Sequence, residues 1–258
     1  VDNRVGATGT IGADMVAKAT PDGHTLLSTV DLPIVMAPAL IKTPYDPRAG
    51  FTPIALLAET MNMLVVHPSL AVSNLSELIA AAKKKPGQLT YSSAGQASPA
   101  HICGEMLRLN AGIDIVHVPY KGAAPAMNAV LAGEVSMFCG PITQGLAHVK
   151  GGKLKAIGVT GSSISGLVPE LPTLSTTIPG LVVSSTYMVY APPATPANIA
   201  QLIKTDLRKT WEDKDLRERL GAMGMDLIWL EGAELTRRVD ADLAKWSNVV
   251  KTAGIRAD

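Results

Sequence analysis

Leu89-Thr-Tyr-Ser-Ser-Ala-Gly-Gln-Ala-Ser98-Pro-Ala-His101 and Ile115-Val-His-Val-Pro-Tyr-Lys-Gly122-Ala-Ala-Pro-Ala126 follow one plan. Each begins with β-branched or aromatic residues, turns through small residues and ends where a helix opens. Ser98 suits a helix N-cap and Pro99 the first helical position. In a strand–turn–helix unit the helix N-terminus presents unpaired N–H groups and about half a positive charge. Small residues let a ligand approach that backbone closely. Two such units side by side make a pocket for an anion. No paired catalytic groups accompany them, which favours a receptor for a small carboxylate over an enzyme.

Working outward, strand-like and helix-like stretches alternate. A helix over 9–19 is followed by a strand at Thr25–Val30 and a short helix at 33–41. Phe51–Ala58 and Met61–Val66 read as two strands. The capping pattern Asn74-Leu-Ser-Glu77 opens a helix that closes at Lys83, Lys84 and Lys85, a solvated end near the negative dipole pole. Ile102, Met106 and Leu109 form one apolar stripe, and Met127, Val130 and Leu131 another. Strands follow at Val135–Phe138, Leu154–Thr160 and Leu181–Tyr190, with a loop over 161–180. Helices begin near Thr195-Pro196 and near Leu216, and a third carries Leu235, Val239, Leu243, Trp246 and Val250. Trp211 and Trp246 fall on these stripes as core anchors. The alternation predicts an α/β protein with mainly parallel sheets. Met61–Val66 and Leu181–Tyr190 lack the small-residue turn before a helix and are expected to run from one domain into another. Domain one is then 1–66 together with 186–258, domain two is 67–185, and the hinge strands lie near 61–68 and 183–190.

Composition excludes several classes. The 258 residues suffice for one large or two small cored domains. Charged residues are 17%, yet no apolar run approaches the roughly 20 residues of a membrane span. With 23 basic and 22 acidic residues, nothing attracts nucleic acid or an anionic membrane. Aromatic residues are 4%, too few for stacked bases or a large flat cofactor, so none is expected. His24, His67, His101, His117 and His148 show no i, i+3 or i, i+4 pair, which argues against a metal site. Cys103 and Cys139 fit no zinc or thioredoxin spacing. They are expected as buried thiols, a disulfide being the alternative. The opening Val1-Asp-Asn-Arg-Val-Gly6 reads as a strand end entering a turn, with residues expected upstream.

Strand C-terminal ends face the cleft in open α/β sheets. This selects Ser28, Thr29, Ser92, Ser93, Gly95, Gln96, Ser98, Tyr120, Lys121, Gly122 and Ala123 as ligand-binding candidates. Hydroxyls and backbone amides are the expected donors. Lys121 is either a counter-charge or a residue that stabilises the loop or faces solvent, Ser98 a donor or a plain cap, Tyr120 pocket wall or core, and His101 a packing or solvent residue. A bulky side chain at Ser93 is expected to abolish binding and spare the fold.

Seven ordered motifs carry a family resemblance: Asn3-Arg-Val-Gly-Ala-Thr-Gly-Thr-Ile-Gly12, Lys18-Ala-Thr-Pro-Asp-Gly23, Pro44-Tyr-Asp-Pro47, Leu64-Val-Val-His-Pro-Ser69, Tyr91-Ser-Ser-Ala-Gly95, Val116-His-Val-Pro-Tyr-Lys-Gly122 and Val250-Lys-Thr-Ala-Gly-Ile255. The chain resembles the Bug, or TctC-like, extracytoplasmic solute receptors of tripartite tricarboxylate transporters. The resemblance implies a two-domain hinged periplasmic binding protein of type II-like architecture, with its signal peptide removed or not included in this sequence. It implies a small organic acid (a di- or tricarboxylate, an acidic amino acid or an aromatic acid) held in an interdomain cleft and passed to a membrane permease; a receptor that hands over one ligand at a time is expected to be a monomer. Three departures stand out. The family's first strand and glycine-rich turn precede Val1. Cys139 and Gly140 stand where an acidic residue is usual, which disfavours an amino-acid ligand. Val5 and Thr8 replace the usual Pro and Gly.

Other functions compete weakly. Gly6-x-x-Gly9-x-x-Gly12 has the wrong spacing for a dinucleotide fingerprint. Gly161-Ser-Ser-Ile-Ser165 lacks the last glycine of a nucleophile elbow. The effector domain of a transcriptional regulator is the remaining alternative.

Overall fold

The computed structural model describes residues 1–4 and 9–255. Val5 and Thr8, singled out in the first turn, lie outside them, as does Gly6. The chain forms two compact units, one of 1–59 with 185–252 and one of 60–184 with a terminal stretch from Ala253. The boundaries fall inside strand β2 (Thr52–Val66) and at the start of strand β7 (Ser184–Ala191).

β2 is one strand of 15 residues where the sequence suggests two. The suggested break is at Glu59, a charged residue in an apolar run. Glu59 is instead fully buried, with Arg238 facing it at 3.7 Å. Pairing of the charge lets the strand continue.

The second unit is built on the strand order β6 (Lys155–Val159), β2, β5 (Met137–Pro141), β3 (Leu89–Ser93), β4 (Ile115–Pro119). β3 pairs parallel with β4 on one side and with β5 on the other. β2 runs antiparallel to β5 and β6. Helix α4 (Pro99–Ala111) links β3 to β4, and helix α5 (Ala123–Leu131) links β4 back past β3 to β5. Adjacent strand residues point to opposite faces. Tyr91 bonds Glu105 of α4 while Ser92 bonds the Ala126 carbonyl of α5, so the two helices cover opposite faces. Met61, Met63, Met127, Val130, Phe138 and Val159 fill the α5 side of the core.

The cysteines correct one expectation. Cys103 of α4 and Cys139 of β5 form a disulfide rather than two thiols. Their separation of 36 residues carries no such signal. The pairing of β3 with β5 brings Cys139 beneath α4 and makes the bond reachable. Nearby, Asn62 and Thr160 form a buried knot with the Val183 carbonyl, which accepts from the Asn62 amide at 3.0 Å and from the Thr160 hydroxyl.

In the first unit, β1 (Leu27–Val30) lies antiparallel to β7, with Ser28 opposite Val189 and Thr29 opposite Met188. Strand β8 (Met225–Leu230) pairs with β2. The sequence reading passes over β8 because Met-Asp-Leu-Ile-Trp-Leu is half-buried at every position and shows no alternation. Helices α7 (Ala197–Trp211), α8 (Lys214–Ala222) and α9 (Gly232–Ala253) complete this unit. Trp246 is buried in it, and the Trp211 indole N–H donates to the Leu57 carbonyl at 2.8 Å.

Candidate functional site

The loops leaving β3 and β4 diverge to opposite faces of the sheet. Such a divergence opens a crevice beyond the strand C-termini, the usual ligand position in α/β sheets. The two quoted motifs meet there. The Tyr120 N–H donates to the Ser93 carbonyl at 2.9 Å, and a Cβ added to Gly95 would lie 3.8 Å from the Tyr120 carbonyl oxygen.

Nine of the eleven candidates gather at this point; Ser28 and Thr29 belong to the first unit. Their chemistry differs from residue to residue. The Ser92 hydroxyl is buried and donates to the Ala126 carbonyl at 2.9 Å, tying β3 to α5. The Ser93 hydroxyl is also buried; it accepts the Gly95 N–H at 3.1 Å and contacts His117 Nε2 at 2.6 Å. These hydroxyls shape the turn from inside it. A bulky residue at Ser93 is therefore expected to displace the turn itself, where the sequence suggests that it spares the fold. Ser98 caps α4, accepting the His101 N–H at 3.4 Å, and its own hydroxyl donates to the Gly95 carbonyl at 2.7 Å.

Backbone amides are the groups left over. Those of Ala94 and Gln96 carry no hydrogen bond among the described residues. Helix α5 opens at Gly122 with no side-chain cap, so the N–H groups of Ala123 and Ala124 have no acceptor among the described residues. Gly122 sits at φ 115° and ψ 167°, a region open essentially to glycine alone. Lys121 is exposed, Tyr120 half-buried against the core, and Gln96 exposed. No Asp or Glu occurs within 92–98 or 120–124. The two turns are thus rich in donors and carry no carboxylate of their own.

A layer of rings that the sequence reading did not connect supports the first turn. His101 and His117 stack with ring centroids 4.1 Å apart, and Tyr91 stacks on His117 at 4.9 Å. Gly104 allows this arrangement, since a Cβ there would fall 2.2 Å from the Tyr91 ring. The Tyr91 hydroxyl donates to Glu105 at 2.7 Å, and Arg108 holds the same carboxylate at 2.7 Å. Burial lowers the pKa of His117 to about 4, with His101 adding to the effect and Glu105 opposing it. Burial lowers His101 as well, again against Glu105. Burial pushes Glu105 up, but hydrogen bonds from Arg108 and Tyr91 outweigh it and leave its carboxyl below the ordinary range. Both imidazoles are therefore neutral near pH 7. Sixteen positions separate the two histidines, so only the parallel pairing of β3 and β4 could reveal them.

In the first unit, Ser28 is exposed and Thr29 half-buried on β1. Two residues beyond Thr29 lies a buried acid, Asp31. Burial and the nearby Asp242 push its pKa up to about 7, against Lys245 and the backbone amides. Asp242 is itself held by Arg238 at 2.8 Å and Lys245 at 3.1 Å. Arg238, Asp242 and Lys245 share one face of α9 at helical spacing, but no sequence spacing links them to Asp31. Among the described residues no group of three His, Cys, Asp or Glu could hold a metal, and no helix is long and apolar enough to cross a membrane.

Residues 1–255 match the family model described as the tripartite tricarboxylate transporter family receptor, TctC. This chain belongs to that family. TctC proteins are solute-binding receptors, not enzymes. The periplasmic binding protein BugD is 30% identical, with a TM-score of 0.74, covering 100% of this chain and 87% of its own. The R. palustris protein Rpa4515, solved with adipate, is 29% identical with a TM-score of 0.77, covering 99% and 86%. MatC from Rhodopseudomonas palustris, solved with malate, is 29% identical with a TM-score of 0.71, covering 96% and 86%. The TctC assignment agrees with the resemblance carried by the seven motifs, and these neighbours share the two-lobed α/β fold expected from it.

Proposed function

We propose that this TctC receptor works in the periplasm, captures a small organic carboxylate and delivers it to a tripartite tricarboxylate-type permease. The observation that carries the reading is the meeting of two strand–turn–helix openings with unspent amides and no acidic side chain. Ala94, Gln96, Ala123 and Ala124 supply N–H donors to one carboxylate, and Lys121 adds a nearby positive charge. Ser92, Ser93 and Ser98 keep the turns in shape. Ser28 and Thr29 serve the face of the first unit, and the two units close over the ligand as hinged domains, with β2 and β7 as the connections. The neighbours bound to malate and adipate support a linear dicarboxylate. Cys139 supports it too: where an acid could hold an ammonium group there is a disulfide sulfur. The receptor acts as a monomer, since it hands over one ligand at a time.

The energetics are adequate. A hydrogen bond to a charged group nets about 1.5–3 kcal/mol. Micromolar binding needs about 8 kcal/mol, so four to six such contacts suffice. A thermal-shift screen tests the reading with malate, adipate, citrate, glutamate and benzoate. A bound acid at about 100 times its Kd stabilises the folded state by about 2.7 kcal/mol. The expected result is a clear shift with at least one dicarboxylate and none with the corresponding diamide. No shift with any acid, or an equal shift with the diamide, overturns the reading.

A further inference from the structure

Within the first turn, alternate amides point inward. The Gly95 N–H is taken by Ser93 Oγ at 3.1 Å, and the Ala97 N–H by His101 Nδ1 at 3.0 Å. Ala97 is not glycine, yet it has φ 56°, a left-handed conformation that an L-residue adopts only when its surroundings hold it there. A backbone N–H can only donate, so Nδ1 must offer a lone pair and the single His101 proton resides on Nε2. The stack on His117 fixes the plane of the ring and so the direction of that lone pair. His117 in turn touches Ser93 Oγ at 2.6 Å, the same oxygen that holds Gly95. One ring layer thus grips both inward amides.

We propose that His101 is the positioning residue of the ligand-binding turn: its unprotonated Nδ1 holds Ala97 in the left-handed conformation and thereby turns the Ala94 and Gln96 amides outward to the carboxylate. The inference rests on the carboxylate reading of this turn. A second proton on His101 would set a donor against a donor and release Ala97. The titratable and charged groups around the pair are Tyr91 on β3, His117 on β4, and Glu105 and Arg108 on α4. Glu105 favours a proton on His101, but Arg108 and Tyr91 already occupy its carboxylate and burial of the ring outweighs it.

Two variants separate the acceptor from the ring. His101→Phe keeps an aromatic ring for the stack and removes the acceptor. His101→Asn removes the stack and keeps an oxygen near the Nδ1 position. With the acid giving the largest thermal shift, calorimetry is expected to show at least about tenfold weaker binding for His101→Phe, equivalent to about 1.4 kcal/mol. Binding by His101→Asn is expected to stay within about threefold of the parent. Undiminished binding by the Phe variant, or an equal loss in both, overturns the proposal. A second measurement needs no ligand. ¹⁵N imidazole spectra of the unmodified protein are expected to show His101 Nδ1 unprotonated at pH 7. A protonated Nδ1 overturns the proposal whether or not any acid binds, so its failure is distinguishable from failure of the carboxylate reading.

Discussion

Replacing both Cys103 and Cys139 by alanine removes a covalent tie between α4 and β5, and its effect can be worked from the topology. The bond closes a loop of 36 residues that contains the second half of α4, all of β4, the Tyr120–Gly122 turn and all of α5. In the chain-entropy account, opening a loop of this size returns about 4 kcal/mol of freedom to the unfolded state. Alanine leaves small voids, because both cysteines are buried, and this adds to the loss. For a protein of this size 1 kcal/mol moves Tm by about 2–4 °C. The double variant should therefore melt about 8–16 °C lower, and the parent should fall similarly under reductant. Differential scanning calorimetry is the assay, because two units can give two transitions and only the transition of the second unit should move. A shift of that transition below about 3 °C, or an equal shift in the first unit, refutes the argument that this bond staples the site-bearing unit. The loop also encloses the β4–α5 turn, so the reduced protein should bind its acid more weakly.

Three further outcomes are expected. Gly122→Ala places a side chain in a backbone region reserved for glycine, at a cost of about 1–3 kcal/mol; calorimetry should show weaker ligand binding, and unchanged affinity together with unchanged Tm would contradict the assigned geometry. The Asp31 carboxyl titrates near 7 when folded and near 3.8 when unfolded, so the folded state holds the extra proton and stability falls as pH rises between those values. The magnitude is on the order of 4 kcal/mol at about 1.4 kcal/mol per pH unit. Asp31→Asn should therefore match the parent near pH 4 and exceed it at pH 8 in urea denaturation, and a difference independent of pH would count against the burial argument. His117 moves the opposite way, because its folded pKa near 4 lies below the ordinary value of 6.5 and its contribution to stability is lost as pH falls through that window. Its ring-proton resonance should hold still from pH 8 to 5; a midpoint near 6.5 would show that the ring is not enclosed.

Much of this was readable in the chain. The β-branched or aromatic runs that open both motifs are strands, Leu89–Ser93 and Ile115–Pro119, and Ser98, Pro99 and Asn74 mark helix starts as their chemistry requires. These features are local: a cap, a turn or an alternating run is decided by residues within a few positions of one another. Reading failed where a distant partner changed the meaning of a residue. Glu59 looked like a strand break until Arg238 faced it. Met225–Leu230 looked like no element until it had β2 to pair with.

The same division runs through the site. The sequence alone determined that two small-residue turns would each open a helix, and so that amide donors would exist. Tertiary structure decided that β3 lies between β4 and β5. That order sets the two turns side by side, stacks His101 on His117 and joins Cys103 to Cys139. The physical reason is that hydrophobic periodicity fixes which face of an element is buried, whereas strand order depends on the summed packing of the whole sheet. No short stretch of the chain encodes that sum.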